Sequence, residues 1–331
     1  LNLVTGGTGL VGSHLLLTLL KQGQSVIAMR RSSSDIKEVE RVFAYYTPDY
    51  KELFNKIIWR EGDLCDVLGF DELLKDVKVV YHCAALISLD DRDKNSLLKA
   101  NKEGTANLVN ACIINKVEAF CFVSSIATLQ NKDIKTDVDE KVFWKTAPDQ
   151  SAYSLSKYLA EQEVWRGIEE GLNAVIVNPG VIVGPGNWNR GTGQLVSLSA
   201  KGIKFYTEGV TGFVGAIDVA GAMVALVNKK IFGERFVLVE NNYPFKYVLD
   251  KIHIELCKSA PKIRAGKGLL TLGKWFSFLM PDGQKLTSST ISALTTKTTF
   301  SSKKLGLFLD YKYTSIDECI KFASKCYLNK V

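Results

Sequence analysis

Tyr153 and Lys157 stand four residues apart in the run Tyr153-Ser154-Leu155-Ser156-Lys157, with the doublet Ser124-Ser125 upstream. On a helix that spacing sets a phenol and an ammonium on one face. A free phenol titrates at about pH 10, too high for a good base at neutrality. A neighbouring cation favours the phenolate and makes proton transfer accessible. A serine hydroxyl nearby can hold and polarise a substrate oxygen. The same pair on an open helix would be two solvated side chains, so the reading depends on what else the chain supplies.

A second motif supplies it. The segment Thr5-Gly6-Gly7-Thr8-Gly9-Leu10-Val11-Gly12 contains GxxGxxG through Gly6, Gly9 and Gly12, and GxGxxG through Gly7, Gly9 and Gly12. It follows a hydrophobic run and opens an amphipathic one. In that context glycines let the backbone approach a pyrophosphate while the helix N-terminus faces the anion; the plainer alternative is a tight strand-to-helix turn. Gly6, Gly9, Leu10, Val11 and Gly12 are the expected cradle. The two motifs together point to a nicotinamide enzyme in which Tyr153 moves a proton. The second strand-like run ends in Arg30-Arg31-Ser32, with Asp35 only beyond the serines. An acidic residue there would bond a ribose 2′-hydroxyl, whereas an Arg accommodates a 2′-phosphate. NADP(H) is therefore expected over NAD(H), unless Arg30 and Arg31 are a solvated strand end.

These residues need a frame. Strand-like runs at 1–5, 25–29, 56–60, 77–81, 119–123 and 174–178 alternate with helical patterns at 10–22, 95–115 and 151–170. That alternation predicts an α/β, Rossmann-type doubly wound parallel sheet. Ser151 is the expected N-cap of the helix carrying Tyr153. After Asn178 the pattern changes, and Pro179, Gly180, Gly184, Pro185, Gly186, Gly191 and Gly193 crowd together. This reads as an exit from the sheet toward a substrate-facing region. A helix at 216–227 and a strand at 234–239 rejoin the main body, and a smaller, mainly helical domain follows. The expected division is 1–178 plus about 212–240 for the dinucleotide, and about 179–211 plus 241–331 for the substrate.

Composition sets bounds on function. Among 331 residues, 46% are apolar and 23% charged, an ordinary globular balance. The net charge of +7 is spread along the chain, without the basic stripe that nucleic acid requires. Seven cysteines, an odd number without a CxxC, read as reduced thiols of a cytoplasmic protein. Three separated histidines offer no zinc set, so no metal is expected, and His14 and His253 read as structural. The opening run reads as a strand and not a signal peptide, and 268–280, interrupted by Lys274, is too short to span a bilayer. A small-molecule partner, with neither nucleic acid nor membrane, is the expectation.

With these residues in view, the chain resembles an extended short-chain dehydrogenase/reductase of the NAD-dependent epimerase/dehydratase superfamily. The resemblance runs through the glycine segment, Asp63-Leu64, His82-Cys83-Ala84-Ala85, Asn101 with Gly104-Thr105, Ser124-Ser125, Tyr153 with Lys157, and Asn178-Pro179-Gly180 with Gly184-Pro185. It implies that Asp63 and Leu64 flank the adenine, that Ala84, Ala85, Asn101 and Ser124 line the cofactor, and that Pro179, Gly180 and Val181 pass the nicotinamide. Ser125, which precedes Ile126-Ala127-Thr128, is the implied catalytic serine, with Tyr153 and Lys157. Plainer readings stand beside these. Asp63 could start a turn, His82 could end a strand without chemistry, Asn101 could be a helix-surface amide, and Asp218 reads first as an N-cap.

Ser156, the Asn178–Pro185 segment and Ser301-Ser302-Lys303-Lys304-Leu305-Gly306 resemble the reductase branch, which includes dihydroflavonol reductases and 3β-hydroxysteroid dehydrogenases. Where the flavonoid enzymes carry a substrate-binding Asn, this chain has Gln130 followed by Asn131, so a flavonoid substrate is not supported. Trp188 could stack on a flat substrate and Arg190 could meet an anion, or both could belong to a surface loop. The leading expectation is NADP(H)-dependent reduction of an aldehyde or ketone. A nucleotide-sugar epimerase or dehydratase using the same Ser/Tyr/Lys site is the alternative, and a cofactor sensor without turnover is a third. The resemblance also implies a homodimer through the helices at 95–115 and 151–170, against a monomer.

Overall fold

The computed structural model describes residues 1–88, 90–129, 134, 136–147, 150–276 and 287–329. Strands and helices alternate through the first half: β1 (Asn2–Thr5), α1 (Leu10–Lys21), β2 (Val26–Arg30), α2 (Lys37–Tyr46), α3 (Tyr50–Asn55), β3 (Ile58–Glu61), α4 (Phe70–Leu74), β4 (Val79–His82), α5 (Lys94–Leu97), α6 (Gly104–Ile114), β5 (Ala119–Val123), α7 (Ala152–Glu169) and β6 (Ala174–Pro179). Then come β7 (Val181–Val183), α8 (Gly193–Ala200), β8 (Phe205–Tyr206), β9 (Val210–Gly215), α9 (Ala216–Asn228), β10 (Glu234–Leu238) and β11 (Asn241–Pro244). The chain continues through α10 (Phe245–Glu255), β12 (Ile263–Arg264), α11 (Lys267–Phe276), α12 (Ser288–Thr295), α13 (Lys303–Phe308) and α14 (Ile316–Leu328).

Seven strands form one parallel sheet in the order β10-β6-β5-β4-β1-β2-β3. Both faces are buried through the inner strands, as crossover helices require, while the edge strand β3 is partly exposed. Alternate residues of each strand point to opposite layers. Ala119, Cys121 and Val123 of β5 join Leu15, Leu16 and Leu19 of α1 and Val219 and Met223 of α9 on one side. Phe120 and Phe122 join Leu108, Cys112, Ala160 and Val164 of α6 and α7 on the other. The order reverses direction between β1 and β4. In such sheets the usual ligand position is beyond the carboxyl ends of the strands at that reversal. Thr5, Arg30, Glu61, His82, Val123 and Pro179 all end strands on that edge or stand next to it.

A second, three-stranded sheet, β11-β9-β7, backs a separate apolar cluster. Phe213 of β9 packs there with Val248 and Ile252 of α10 and Ile316 and Ile320 of α14. Leu305 and Leu309 instead return to the main core beside β10. Among the described residues no helix is long and apolar enough to cross a membrane. The segment expected at 268–280 begins as α11, and its end lies outside the described residues.

Two expectations are corrected. The pattern at 95–115 predicts one helix, but α5 and α6 are joined by a π-helical stretch, Leu98–Glu103. The wider turn carries Asn101, whose amide binds both the N–H and the carbonyl of Leu86 at 2.7 and 3.0 Å. A wide turn of this kind often marks a functional segment. Asp218 does not cap α9. Gly215 holds the N-cap position without a side-chain bond. Asp218 lies inside the first turn, where its carboxylate accepts from the N–H and hydroxyl of Thr314 at 3.2 and 3.1 Å and so fastens the segment leading into α14.

Candidate active site

The glycine segment forms a tight turn between β1 and α1. Gly6 has φ of 67°, and a Cβ there would lie 2.6 Å from the Ala84 backbone. A Cβ on Gly12 would lie 2.2 Å from the Gly6 carbonyl. Gly9 is the N-cap, in extended conformation and without a side-chain cap. The first helical bond runs from Ser13 N–H to Gly9 O at 2.9 Å. The N–H groups of Leu10, Val11 and Gly12 precede it and face outward with the positive end of the helix. This cradle fits a dinucleotide pyrophosphate: its Gly6 and Gly12 pack on backbone with no room for a Cβ, and the helix N-terminus offers its N–H groups.

His82 secures the cradle from below. Its ring is fully buried, with Nδ1 2.7 Å from Thr5 Oγ1 and Nε2 2.9 Å from Thr105 Oγ1. Burial lowers its pKa to about 3, so the ring is neutral and can donate to one hydroxyl while accepting from the other. Ala84 N–H donates to the same Thr5 hydroxyl at 3.3 Å, which sets the chain carrying Ala84 and Ala85 beside Gly6. Asn101 is 2% exposed and is no surface amide; it also donates to Ser156 Oγ at 2.9 Å, reaching the turn between Tyr153 and Lys157. Asp63 accepts from Cys65 N–H at 2.9 Å, a local turn, and buried Leu64 packs against Gly104.

Arg30 ends β2 as expected, but its guanidinium already meets Glu61 on β3 at 2.8 Å. Arg31 is exposed. Asp35 is occupied with the Lys37 N–H and the Arg41 side chain, at 3.0 and 3.3 Å.

Ser151 caps α7 by accepting from Ser154 N–H at 3.0 Å. Ser125 follows β5 and opens a short turn, accepting from Ala127 N–H at 3.1 Å. The structure brings Ser125 and Tyr153 together. Burial pushes the Tyr153 phenol up to about 12, and a hydrogen bond with Ser125 opposes that rise. Lys157 is 2% exposed; its Nζ lies 2.7 Å from the Val123 carbonyl and 4.3 Å from the Phe122 ring centre. Burial lowers its pKa to about 8, against the attraction of Glu161. The ammonium is held by a carbonyl of β5, and Ser125 is the group acting on Tyr153.

Pro179 ends β6. Gly180 crosses to β7 with its N–H on Leu238 O at 3.0 Å, and a Cβ there would lie 2.4 Å from the Gly212 carbonyl. Val181 then opens β7. Trp188 lies edge-on to Tyr45 of α2 at 6.4 Å and to Tyr327 of α14 at 5.3 Å, and Arg190 is exposed. These contacts hold the 187–190 loop against α2 and α14. Gln130 lies outside the described residues. A cavity of about 220 Å³ is lined by Glu38, Arg41, Tyr45 and Trp188, and one of about 330 Å³ by Tyr45, Tyr46, Ile217 and Phe322. Neither touches Ser125, Tyr153 or Lys157, so both are separate from the chemistry. Glu161 and Arg235, which the motifs do not single out, are paired beneath the Ser125 turn at 3.0 Å. Among the described residues no group of His, Cys, Asp or Glu could hold a metal ion.

Residues 2–234 match the model of the NAD dependent epimerase/dehydratase family. A protein named putative dihydroflavonol 4-reductase from Synechocystis is 29% identical over 78% of this chain and 73% of its own length. Tetraketide alpha-pyrone reductase 2 of Arabidopsis thaliana is 27% identical over 73% of this chain and 82% of its own. The crystal structure of gox2253 superposes with a TM-score of 0.81 at 28% identity, covering 99% of this chain and 98% of that one. UDP-glucose 4-epimerase of Thermotoga maritima shares the fold, with a TM-score of 0.76 at 18% identity over 99% and 98% of the two chains. With a glycine-lined cradle at the sheet's switch point and a family match over residues 2–234, which takes in six of the seven strands of the parallel sheet, the chain belongs to the NAD-dependent epimerase/dehydratase family, the extended short-chain dehydrogenase/reductases.

Proposed function

We propose that the protein is an NADP(H)-dependent reductase that converts an aldehyde or ketone to an alcohol. The observation that carries this is the buried Tyr153 phenol with the Ser125 side chain acting on it, on the edge where the uncapped N-terminus of α1 opens. Leu10, Val11 and Gly12 hold the pyrophosphate by their N–H groups, and Pro179, Gly180 and Val181 border the nicotinamide. The bound nicotinamide supplies the hydride. Tyr153 donates its proton to the oxygen that develops negative charge, and Ser125 hydrogen-bonds the same oxygen. With its pKa pushed up to about 12, Tyr153 stays protonated at working pH, as an acid for reduction must. Lys157, released from the Val123 carbonyl, holds the nicotinamide ribose. Two relatives named as reductases support the direction of the reaction.

The alternative, a nucleotide-sugar epimerase or dehydratase, returns the hydride to the substrate and uses the same three residues. One observation favours it: Arg30 is already neutralised by Glu61, which leaves less charge for a 2′-phosphate. NADPH oxidation measured in parallel with aldehydes, ketones and nucleotide sugars separates the two. Stoichiometric loss of NADPH with one carbonyl class supports the reductase. Altered sugar products without net loss support the alternative.

Arg30 tests the cofactor preference by itself. Arg30→Ala is expected to raise the NADPH KM about ten-fold, the loss of one charge-assisted contact, and to leave the NADH KM unchanged. Equal changes with both cofactors would remove Arg30 from phosphate recognition.

A further inference from the structure

We infer that Glu161 is a positioning residue of this site: its carboxylate orders the backbone that carries Ser125 and supplies the counter-charge to Lys157. The inference rests on the Ser125/Tyr153/Lys157 reading above. Glu161 is one helical turn beyond Lys157 on α7 and is fully buried. Its Oε1 accepts from Arg235 Nη1 at 3.0 Å. Its Oε2 takes donors from three places: the Ser124 hydroxyl at the end of β5, Thr128 Oγ1 at 2.9 Å, and Asn178 Nδ2 at 2.9 Å at the end of β6.

All three donors border Ser125. Ser124 precedes it in the chain. Thr128 Oγ1 lies 2.9 Å and Asn178 Nδ2 3.2 Å from the Ser125 carbonyl. The threonine hydroxyl has one proton for two acceptors, and the Asn178 amide has two protons for three nearby oxygens. An acceptor-only carboxylate fixes how those protons are shared. A buried Glu–Arg pair serving only to join α7 to β10 would need no donors from the Ser125 turn. Arg235 is in any case fastened separately to the loop before α7, donating to the Glu140 and Val142 carbonyls at 2.9 Å each.

The electrostatic half follows from what surrounds Lys157. From the end of β4, His82 and Cys83 act on it, and both are neutral: burial lowers the His82 pKa to about 3 and raises the Cys83 thiol to about 12. From β5 it meets the Val123 carbonyl and the Phe122 ring. On its own helix, Tyr153 stays protonated and Glu161 supplies the negative charge. Burial lowers the Lys157 pKa and the Glu161 charge opposes that fall, which leaves it at about 8 and the ammonium protonated near neutrality.

The test needs neither substrate nor cofactor, so it stands apart from whether the protein reduces carbonyls. The Lys157 Nζ resonance and the amide exchange of residues 125–129 are followed by NMR in wild type, Glu161→Gln and Glu161→Asp. Glu161→Gln keeps the volume and removes the charge. It is expected to move the Lys157 midpoint down by about one pH unit and to speed amide exchange in the Ser125 turn about ten-fold. Glu161→Asp is expected to restore most of the midpoint. If Glu161→Gln does not fold, Arg235→Gln gives the test with the opposite sign: the Glu161 charge is no longer shared with a guanidinium, acts on Lys157 undivided, and the Lys157 midpoint rises. A Lys157 midpoint that stays put in the folded variants, or amide exchange that follows only the melting temperature, overturns the inference.

Discussion

Tyr153→Phe is expected to lower kcat about 10³-fold, within the usual range for removing a general acid, while NADPH binds within about two-fold of wild type. The substitution deletes one oxygen and keeps the ring. The proton source disappears, and the Ser125 hydroxyl loses its partner. The cofactor cradle is built from Gly6 to Gly12 and is untouched. Fluorescence titration with NADPH, run beside steady-state kinetics, separates the two effects. A variant that keeps a tenth or more of wild-type kcat would mean that the proton comes from elsewhere. A variant that also loses the cofactor would mean that the phenol is structural.

Gly12→Ala is expected to have the largest effect on cofactor binding, raising the NADPH Kd about 100-fold. The added methyl would sit 2.2 Å from the Gly6 carbonyl and 2.8 Å from the Gly7 Cα. Both neighbours are backbone in the turn itself, so no side chain can swing aside. Overpacking of this kind costs about 1–3 kcal/mol, and about 2.7 kcal/mol corresponds to 100-fold in Kd. The strain falls on the N–H groups that form the cradle, so binding suffers more than folding. Calorimetric titration together with a thermal melt checks this. Gly23→Ala serves as the contrast: at φ of 73° it is strained, but it has open space and lies at the far end of α1. It is expected to lower stability and spare the cofactor. Equal NADPH affinities in Gly12→Ala and wild type would show that the turn does not hold the pyrophosphate.

What can be read from the sequence is what depends on short spacing. The alternation of strands and helices places β1, β2, β4, β5 and β6 within a residue or two, because both-face burial demands continuous apolar runs. Ser151, Tyr153 and Lys157 share one helix, so a cap and an i, i+4 pair are local facts. The glycine turn is local as well. The π-helical stretch is hidden because one extra residue in a wide turn barely alters an apolar pattern, while its cause, the Asn101 clamp on Leu86, lies 15 residues away in the chain. Asp218 illustrates the same limit. An acidic residue near a helix start fits an N-cap, and only the fold reveals Thr314 in front of it. Glu161 is further still from view, since its partners come from β5, the Ser125 turn, β6 and β10. Arg30 shows the cost of reading a strand end by itself: the neighbouring strand supplies Glu61.

The most direct test follows deuterium from NADPH labelled at the nicotinamide C4, on each face in turn, during turnover with the best carbonyl substrate. The account predicts one deuterium on the carbinol carbon of the product for each NADP⁺ formed, from one face only, with the rate of transfer lowered about 10³-fold in Tyr153→Phe. Label that never reaches a product, while nucleotide sugars are converted without net loss of NADPH, would contradict it.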